Sequence, residues 1–208
     1  MYIPKSFAET DQQRLYEFIA AHSFATLVSR DSSEPCASHL PLLLDVYAGS
    51  PGMLVGHMAR ANPQWEQADG QNVLAIFHGP HAYISPTWYE AVNVVPTWNY
   101  VAVHVYGTLR LQADRGRLLE IVRQYVEYYE DDLPQLWSVD TAEPDFIDGL
   151  LDAIVGFEID IDRIEGKWKL NQNHDATGRK KVIDGLREAG GEEQRQIAEL
   201  MSQTLDDC

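Results

Sequence analysis

The sequence lacks the features of exported, membrane-spanning and disulfide-bonded proteins. Cysteine occurs only at Cys36 and Cys208, so no disulfide framework is expected. No apolar run reaches the ~18 residues that a transmembrane helix needs. The N-terminus also lacks the basic region and following apolar stretch of a signal peptide. We therefore predict a cytoplasmic protein that makes no membrane contact.

Positive charge is also scarce. The chain has 16 Lys and Arg against 32 Asp and Glu, a formal net charge of −16. The basic residues cluster only at 179–181, near Lys167 and Lys169, and the acidic Asp184 and Glu188 follow. Because nucleic-acid binding draws most of its affinity from neutralised phosphates, this charge argues against direct binding of DNA or RNA.

Common catalytic and cofactor signatures are absent from the sequence. There is no Gly-x-Gly-x-x-Gly, no phosphate-binding P-loop and no Gly-x-Ser-x-Gly elbow. There is also no His-Glu-x-x-His and no Cys-x-x-Cys, so no metal site is predicted. His78-Gly79-Pro80-His81 is interpreted as a turn between two strands, in which each histidine packs locally.

The remaining pattern indicates a globular protein that is mainly β with peripheral helices. Hydrophobic residues make up 45% of the chain and charged residues 23%. Short strands with few βα alternations favour a barrel over a doubly wound sheet. The predicted strands cover 24–29, 36–45, 53–58, 72–79, 81–85, 100–112 and 154–166, with a hairpin loop at 31–35. The predicted helices cover 11–22, 114–130, 145–153, 177–190 and 192–205.

The segment from His57 to Trp65 leaves a strand and enters a helix whose first turn contains Pro63. Asn62 is then a natural N-cap, with Arg60 beside the free N–H groups. Oriented amides, a helix dipole and a planar guanidinium suit a phosphate. A simple strand-to-helix connection with a solvated arginine explains the segment equally well.

Three further segments have two interpretations each. Ser38-His39-Leu40-Pro41 is either a bulged edge strand or backbone that bonds a planar heterocycle. Two Pro-Thr-Trp triplets, at 86–88 and 96–98, place flat side chains on irregular backbone, for stacking or for core packing. Gly166-Lys167-Trp168-Lys169 with the following amides is either an anion site or a solvated strand end.

Together these motifs resemble the PaiB-like family of FMN-binding negative transcriptional regulators. The resemblance covers nearly the whole chain, from Met1-Tyr2-Ile3-Pro4 through SHLP, HMARANPQW, AYISPTWY and VPTWNY to GKWKLNQN. It implies a split β-barrel and a homodimer with two FMN sites at the interface. We expect residues 1–173 to form the flavin-binding barrel. Residues 174–208 would then form a helical extension on the barrel or on the partner.

The resemblance also implies the site residues. Arg60 and Asn62 would contact the FMN phosphate, and His57 and Met58 would line the isoalloxazine. The segments 96–99 and 167–173 would complete the pocket, with the partner subunit as one source for them. The predicted FMN-binding residues are His39, Leu40, Pro41, His57, Met58, Ala59, Arg60, Asn62, Trp65, Pro96, Thr97, Trp98, Asn99, Lys167, Lys169 and Asn171.

Three functions are compatible with these features. The first is a flavin-binding regulator that works by sensing or by protein contacts. The second is an FMN-dependent oxidoreductase resembling flavin reductases, for which no catalytic residue can be nominated. The third is a haem-handling split-barrel protein, although no histidine stands out as an axial ligand.

Overall fold

The computed structural model of the chain describes residues 1–31, 34–131 and 133–206. Ser32 and Ser33 of the predicted hairpin loop, and Cys208, lie outside the described residues. Among the described residues, no helix is long and apolar enough to cross a membrane.

In the described part of the chain, eight strands form one sheet. They are β1 (Ala8–Glu9), β2 (Phe24–Asp31), β3 (Glu34–Pro41), β4 (Leu43–Asp45), β5 (Met53–Ala59), β6 (Asn72–Ile84), β7 (Thr97–Gln112) and β8 (Ile154–Lys169). The order is β3-β2-β6-β7-β8-β5-β4, and β1 pairs with β8. The pairs with a defined register are antiparallel, among them the β2–β3 hairpin and the β5–β8 pair. The predicted fold class, mainly β with peripheral helices, is confirmed as an antiparallel sheet with helices.

Over residues 1–31, 34–131 and 133–206, six α-helices accompany the sheet, and three of them begin at aspartate caps. The helices are α1 (Gln12–Ala21), α2 (Gln64–Ala68), α3 (Arg115–Glu130), α4 (Pro144–Asp152), α5 (Ala176–Ala189) and α6 (Glu192–Asp206). Asp11, Asp114 and Asp175 each accept a backbone N–H three residues later, at 2.7–2.9 Å. Gly190 ends α5 with φ at 76°, a conformation that favours glycine.

Strand β6 is continuous where the sequence predicts two strands and a turn. Gly79 and Pro80 lie inside it, and buried residues alternate with less buried ones over 72–78 and again over 79–84. A Cβ on Gly79 would lie 2.8 Å from the ring of Phe18 on α1. The glycine therefore permits close packing of α1 on the strand. The predicted turn at 78–81 is wrong.

The predicted strand 36–45 is divided at Leu42. The Leu42 N–H donates to the carbonyl of Ser23 at 2.8 Å, and the side chain is fully buried. Pro41 ends β3, which is the last strand at one edge of the sheet. The predicted place of Pro41 on an edge strand is confirmed.

The two Pro-Thr-Trp triplets differ in backbone. Pro86–Tyr89 forms a 3₁₀ helix, and the Ser85 hydroxyl accepts the N–H of Thr87 at 3.3 Å. Thr97 and Trp98 instead begin β7, so irregular backbone is wrong for the second triplet. Asn99 is buried and Trp98 is exposed, which is the alternation of a strand.

The chain forms two compact units, and β6, β7 and β8 each contribute to both. The first unit contains Met1–Phe18, His78–His104 and the described residues from Glu165 onward. The second contains Ile19–Phe77 and Val105–Ile164. The predicted boundary after residue 173 falls inside the first unit, and the division into 1–173 and 174–208 stays a prediction. Fully buried side chains include Ile84, Leu170, Leu186, Ile197 and Met201 in the first unit, and Leu27, Leu54, Phe77, Leu109, Ile121 and Phe157 in the second.

Candidate functional site

The segment containing His39, Leu40 and Pro41 lies at the end of β3, in the second unit. His39 is exposed, and its Nδ1 lies 3.0 Å from the Thr26 hydroxyl across the β2–β3 pair. Leu40 is buried. The Pro41 carbonyl accepts a hydrogen bond from the Tyr125 hydroxyl at 2.6 Å. His39 is therefore the most accessible of these three predicted residues.

His57 and Met58 lie on β5, where the strand pairs with β8. Met58 is buried, whereas His57 is only partly buried. Burial lowers the pKa of His57, because a low-dielectric environment disfavours the charged imidazolium. The Nδ1 of His57 is buried and has no hydrogen-bond partner among the described residues.

Tyr125 of α3 joins these two strands. Its hydroxyl lies 2.6 Å from the Pro41 carbonyl and 3.0 Å from the Val55 carbonyl. Its ring packs edge-on against the imidazole of His57. Burial raises the pKa of the Tyr125 phenol, so the hydroxyl keeps its proton. The helix predicted over 114–130 includes Tyr125, which was not among the predicted site residues, and its hydroxyl was the available signal for a polar role.

Arg60 fastens the loop after β5 to the junction of α4 and β8. Its backbone N–H donates to the Ala153 carbonyl at 2.8 Å. Its side-chain Nε and Nη2 donate to the carbonyls of Asp152 and Ile154 at 2.7 and 2.8 Å. Arg60 is exposed, and these contacts hold its guanidinium in place. Its role in binding phosphate stays a prediction, and the structure adds a positioning role.

Asn62 and Trp65 organise the same loop. Asn62 Oδ1 accepts the N–H of Gln64 at 3.0 Å. The N-cap of α2 is Pro63, so the predicted N-cap at Asn62 is wrong by one residue. Asn62 Nδ2 donates to the Ser38 hydroxyl at 2.7 Å. Trp65 Nε1 donates to the Arg60 carbonyl at 2.9 Å. The bond between Asn62 and Ser38 brings into contact two motifs that are 24 residues apart in the sequence.

Gln64 is a polar residue that sequence reasoning missed. It is buried, and its Nε2 donates to the Leu27 carbonyl at 3.2 Å and the Ser29 hydroxyl at 3.0 Å. These bonds attach α2 to β2. Its position directly after Pro63, at a helix start, was the available signal, because a glutamine there can reach neighbouring backbone.

A cavity of about 360 Å³ opens beside Arg60 in the second unit. Small-molecule sites commonly have volumes of roughly 300–1,000 Å³. Arg115, the other arginine of the wall, pairs with Asp148 at 2.9 Å and Asp152 at 2.5 Å. The cavity is lined by Arg60, Trp65, Leu111, Gln112, Ala113, Arg115, Leu118, Leu151, Ile154 and Val155.

Trp98 is the most accessible ring among the predicted residues of the first unit. It is 53% exposed and follows the exposed Pro96 and the half-buried Thr97. The rings of His81 and Tyr83 each lie 6.0 Å from the Trp98 ring, between centroids. An exposed ring flanked by two others offers a flat apolar surface for stacking.

Lys169 lies next to Trp98 in the first unit, and Lys167 lies two residues earlier on β8. Lys169 Nζ donates to the Thr97 hydroxyl and to the Trp98 carbonyl. Burial, and then the charge of Lys167, lower the pKa of Lys169. Lys167 is buried, donates to the Tyr2 carbonyl at 3.0 Å and lies 5.1 Å from the Tyr100 ring centre. Two neighbouring ammonium groups favour an anion.

Asn99 and Asn171 are both buried in the first unit. Asn171 Nδ2 donates to the Tyr89 hydroxyl at 2.6 Å. Asn99 Nδ2 lies 3.3 Å from the sulfur of Met201 on α6. The Oδ1 of Asn99 has no hydrogen-bond partner among the described residues. Asn171 therefore has a structural contact, while Asn99 keeps an unused acceptor.

The predicted site residues thus form two groups. In the second unit, contacts link the ends of β3 and β5 with the loop to α2, through Tyr125, Arg60 and Asn62. In the first unit, Lys169 links to Thr97 and Trp98. Binding of a flavin by either group stays a prediction.

The chain is similar in sequence to a family of FMN-binding domains and to two further full-length relatives. A family model described as "Putative FMN-binding domain" matches residues 1–163. "Protease synthase and sporulation protein PAI 2" of Bacillus subtilis is 39% identical over 99% of this chain and 98% of its own. An uncharacterised protein of Aspergillus fumigatus is 30% identical over 99% of this chain and 98% of its own.

Among solved structures, the flavocytochrome Anf3 of Azotobacter vinelandii superimposes with a TM-score of 0.58 at 14% identity. The match covers 80% of this chain and 72% of that chain. At this identity, the likeness carries information on the fold alone. The predicted split β-barrel is confirmed.

Proposed function

Because the chain belongs to the family of FMN-binding domains, we propose that it binds FMN as a homodimer and acts as a negative transcriptional regulator of the PaiB type. The observation that carries the proposal is the family match over residues 1–163. That range includes the second-unit group of predicted site residues and the segment 96–99. The match to PAI 2 along nearly the whole chain supports the PaiB-type assignment.

The side chains fit the chemistry of FMN. An isoalloxazine needs a flat surface and polar groups along its edge, which Trp98, His39 and His57 can supply. The phosphate needs cations, which Arg60 and Lys169 can supply. The buried Nδ1 of His57 and Oδ1 of Asn99 have no partner among the described residues, which is rare for buried polar atoms.

The division of the predicted residues between two groups supports the proposed homodimer. We propose that the group around Arg60 comes from one protomer and that the Trp98 and Lys169 group comes from its partner. Bound FMN supplies hydride and electron chemistry. With a net charge of −16, regulation is proposed to proceed through protein contacts rather than through direct DNA binding.

The experiment is the spectrum and mass of freshly purified protein. We expect a yellow protein with a flavin absorbance, whose heat-released cofactor has the mass of FMN rather than FAD. Sedimentation at micromolar concentration is expected to show a dimer without added ligand. A colourless protein that does not bind added FMN would contradict flavin binding, and a monomer would contradict the shared site.

Regulation requires a separate measurement. Deleting the gene is expected to raise transcripts of its target genes, and a gel shift with promoter DNA is expected to be negative. A salt-dependent shift would instead favour direct DNA binding. Cytoplasmic location, the oxidoreductase alternative and the haem alternative stay predictions, and steady NAD(P)H oxidation with an electron acceptor would favour the enzyme.

A further inference from the structure

A groove lies between α3 and the loop that follows it, in the second unit and away from the predicted flavin residues in sequence. Its volume is about 220 Å³. We call it the α3 groove. It is lined by Arg123, Val126, Glu127, Glu130, Asp131, Leu136, Trp137, Ser138 and Val139.

Polar contacts hold the loop of the α3 groove in place. The N–H of Leu133 donates to the Glu130 carbonyl at 2.9 Å, and the N–H of Trp137 donates to the Glu130 carboxylate at 3.1 Å. Arg123 donates to both carboxylate oxygens of Asp140, at 2.7 and 2.5 Å. These bonds tie both ends of the loop to α3, so the groove is a built surface.

The apolar residues of this loop are unusually exposed. Leu136 is 65% exposed, Leu133 is 48% exposed and Trp137 is 45% exposed. Leu136 and Trp137 line the α3 groove together with Val126 and the buried Val139. A tryptophan next to an apolar groove is typical of residues that dominate protein interfaces. The groove can therefore accept one large apolar side chain.

The charge around the α3 groove is strongly negative. Residues 124–153 contain nine Asp and Glu and no Lys or Arg. At the groove itself, Glu127, Glu130 and Asp131 face a single arginine, Arg123, which is already paired with Asp140. Among the described residues, no ion pair uses Glu130 or Asp131. Such a rim attracts cations and repels phosphates.

From this geometry we propose that the α3 groove docks a basic segment of a partner protein, with one large apolar residue in the groove and Lys or Arg against the rim. The apolar side chains of the groove favour a large apolar residue of the partner. The carboxylates of the rim favour Lys or Arg on either side of that residue. The negative rim disfavours nucleic acid and anionic membranes as occupants. This proposal does not depend on flavin binding.

The test uses the full chain and three fluorescein-labelled peptides of equal length, KRKLLKRK, KRKSSKRK and EDELLEDE, measured by fluorescence anisotropy. We expect KRKLLKRK to bind, with weakening as salt rises. We expect KRKSSKRK to bind at least about tenfold more weakly, because it lacks the anchor. We expect EDELLEDE not to bind. Equal binding of the two basic peptides would show charge attraction alone and would overturn the proposal.

Variants locate the binding. Leu136→Ser and Trp137→Ser are expected to weaken KRKLLKRK binding about tenfold, since each removes apolar contact. Asp131→Asn is expected to weaken it about threefold and to reduce its salt dependence. Tyr47→Ser and Glu66→Gln, at exposed positions outside the groove, are the matched controls and should bind as the parent does. Unchanged binding by both serine variants would overturn the proposal.

A second copy of the chain is the competing occupant. Sedimentation of Leu136→Ser separates the two cases, because Leu136 is largely exposed and its replacement leaves the core intact. We expect the variant to keep the parent's mass and thermal midpoint. A change from dimer to monomer would assign the α3 groove to self-association and overturn the proposal. The flavin content of the same samples is measured by absorbance. A loss of flavin binding is therefore distinguished from a loss of peptide binding.

Discussion

The ring of Tyr125 lies edge-on to the imidazole of His57, with centroids 4.9 Å apart and planes at 63°. The same tyrosine directs its hydroxyl to the carbonyls of Pro41 and Val55. One side chain of α3 therefore sets the positions of two segments that carry predicted flavin-binding residues. Replacing Tyr125 tests how much these contacts contribute to the stability of the protein.

Tyr125→Phe is expected to lower the free energy of unfolding by about 1–2 kcal/mol, because the single buried O–H donor that lies between two carbonyls is lost. The matched control is Tyr128→Phe, whose hydroxyl donates to the Ala20 carbonyl from a residue that is 44% exposed. We expect a smaller loss there, about 0.5 kcal/mol, since water replaces the bond. Urea denaturation of both variants measures the difference, and equal losses would contradict the buried role.

His57 predicts a pH dependence of stability. The pKa of His57 is lowered in the folded state from its ordinary value of 6.5. The unfolded chain therefore binds a proton first as the pH falls, and the free energy of unfolding decreases below about pH 6.5. We expect His57→Gln to lose less stability between pH 7.5 and pH 5.5 than the parent does.

His104 is the second component of this dependence, because burial also lowers its pKa. The double variant with His104→Gln is expected to have a flatter profile than either single variant. Denaturation curves at several pH values provide the measurement. An unchanged slope in His57→Gln would show that this histidine titrates alike in both states.

Two helix glycines give opposite predictions for the same substitution. A Cβ on Gly185 of α5 would lie 2.6 Å from the Trp88 ring, whereas a Cβ on Gly149 of α4 meets nothing within 4 Å. Gly149→Ala is expected to stabilise the protein by about 0.5–1 kcal/mol through helix propensity. Gly185→Ala is expected to destabilise it by about 1–3 kcal/mol through overpacking. Thermal melts of the pair check the signs.

Arg60→Ala is expected to weaken FMN binding by about 1.5–3 kcal/mol, the typical contribution of a hydrogen bond to a charged group. Because Arg60 also binds two carbonyls, its removal is expected to lower the thermal midpoint. Arg60→Lys keeps the charge but not the planar pair of donors, so it serves as the control. Titration of each variant with FMN checks affinity, and an unchanged dissociation constant would remove Arg60 from the site.

Trp98→Ala is expected to weaken FMN binding by about 0.5–1.5 kcal/mol, the contribution of an aromatic stacking pair. Tyr47→Ala removes an aromatic ring that is 95% exposed at another place and is the matched control. Quenching of flavin fluorescence measures both. Loss of affinity in the control alone, or in neither variant, would exclude stacking on Trp98.

Local signals in the sequence were sufficient for most elements of the fold. The aspartate caps and the Gly190 terminus are contacts between residues close in sequence, so helices α1, α3 and α5 could be predicted within a few residues. Alternating apolar residues likewise predicted β2 and β8. The order of several motifs predicted the family, although each motif alone had a second interpretation.

Long-range contacts account for what the sequence did not predict. Gly79-Pro80 has the composition of a turn, but Phe18 of α1 requires the glycine within a continuous strand. Arginine commonly binds anions, but the side chain of Arg60 donates to the carbonyls of Asp152 and Ile154, which lie 92 and 94 residues later in the chain. The sequence around Lys167 is compatible with a solvated strand end, yet this side chain is buried and its Nζ donates to the Tyr2 carbonyl. Such partners are defined only by the folded chain.

The attachment of Arg60 to the carbonyls of Asp152 and Ile154 has a thermodynamic consequence. An anion that bound the Arg60 guanidinium would compete with these two carbonyls, which lie at the junction of α4 and β8. Anion binding at Arg60 and the conformational order of the α4–β8 junction would then be coupled, because each would change the free energy of the other. Hydrogen exchange at residues 150–155, with and without ligand, would detect this coupling as a change in amide protection far along the chain from the arginine.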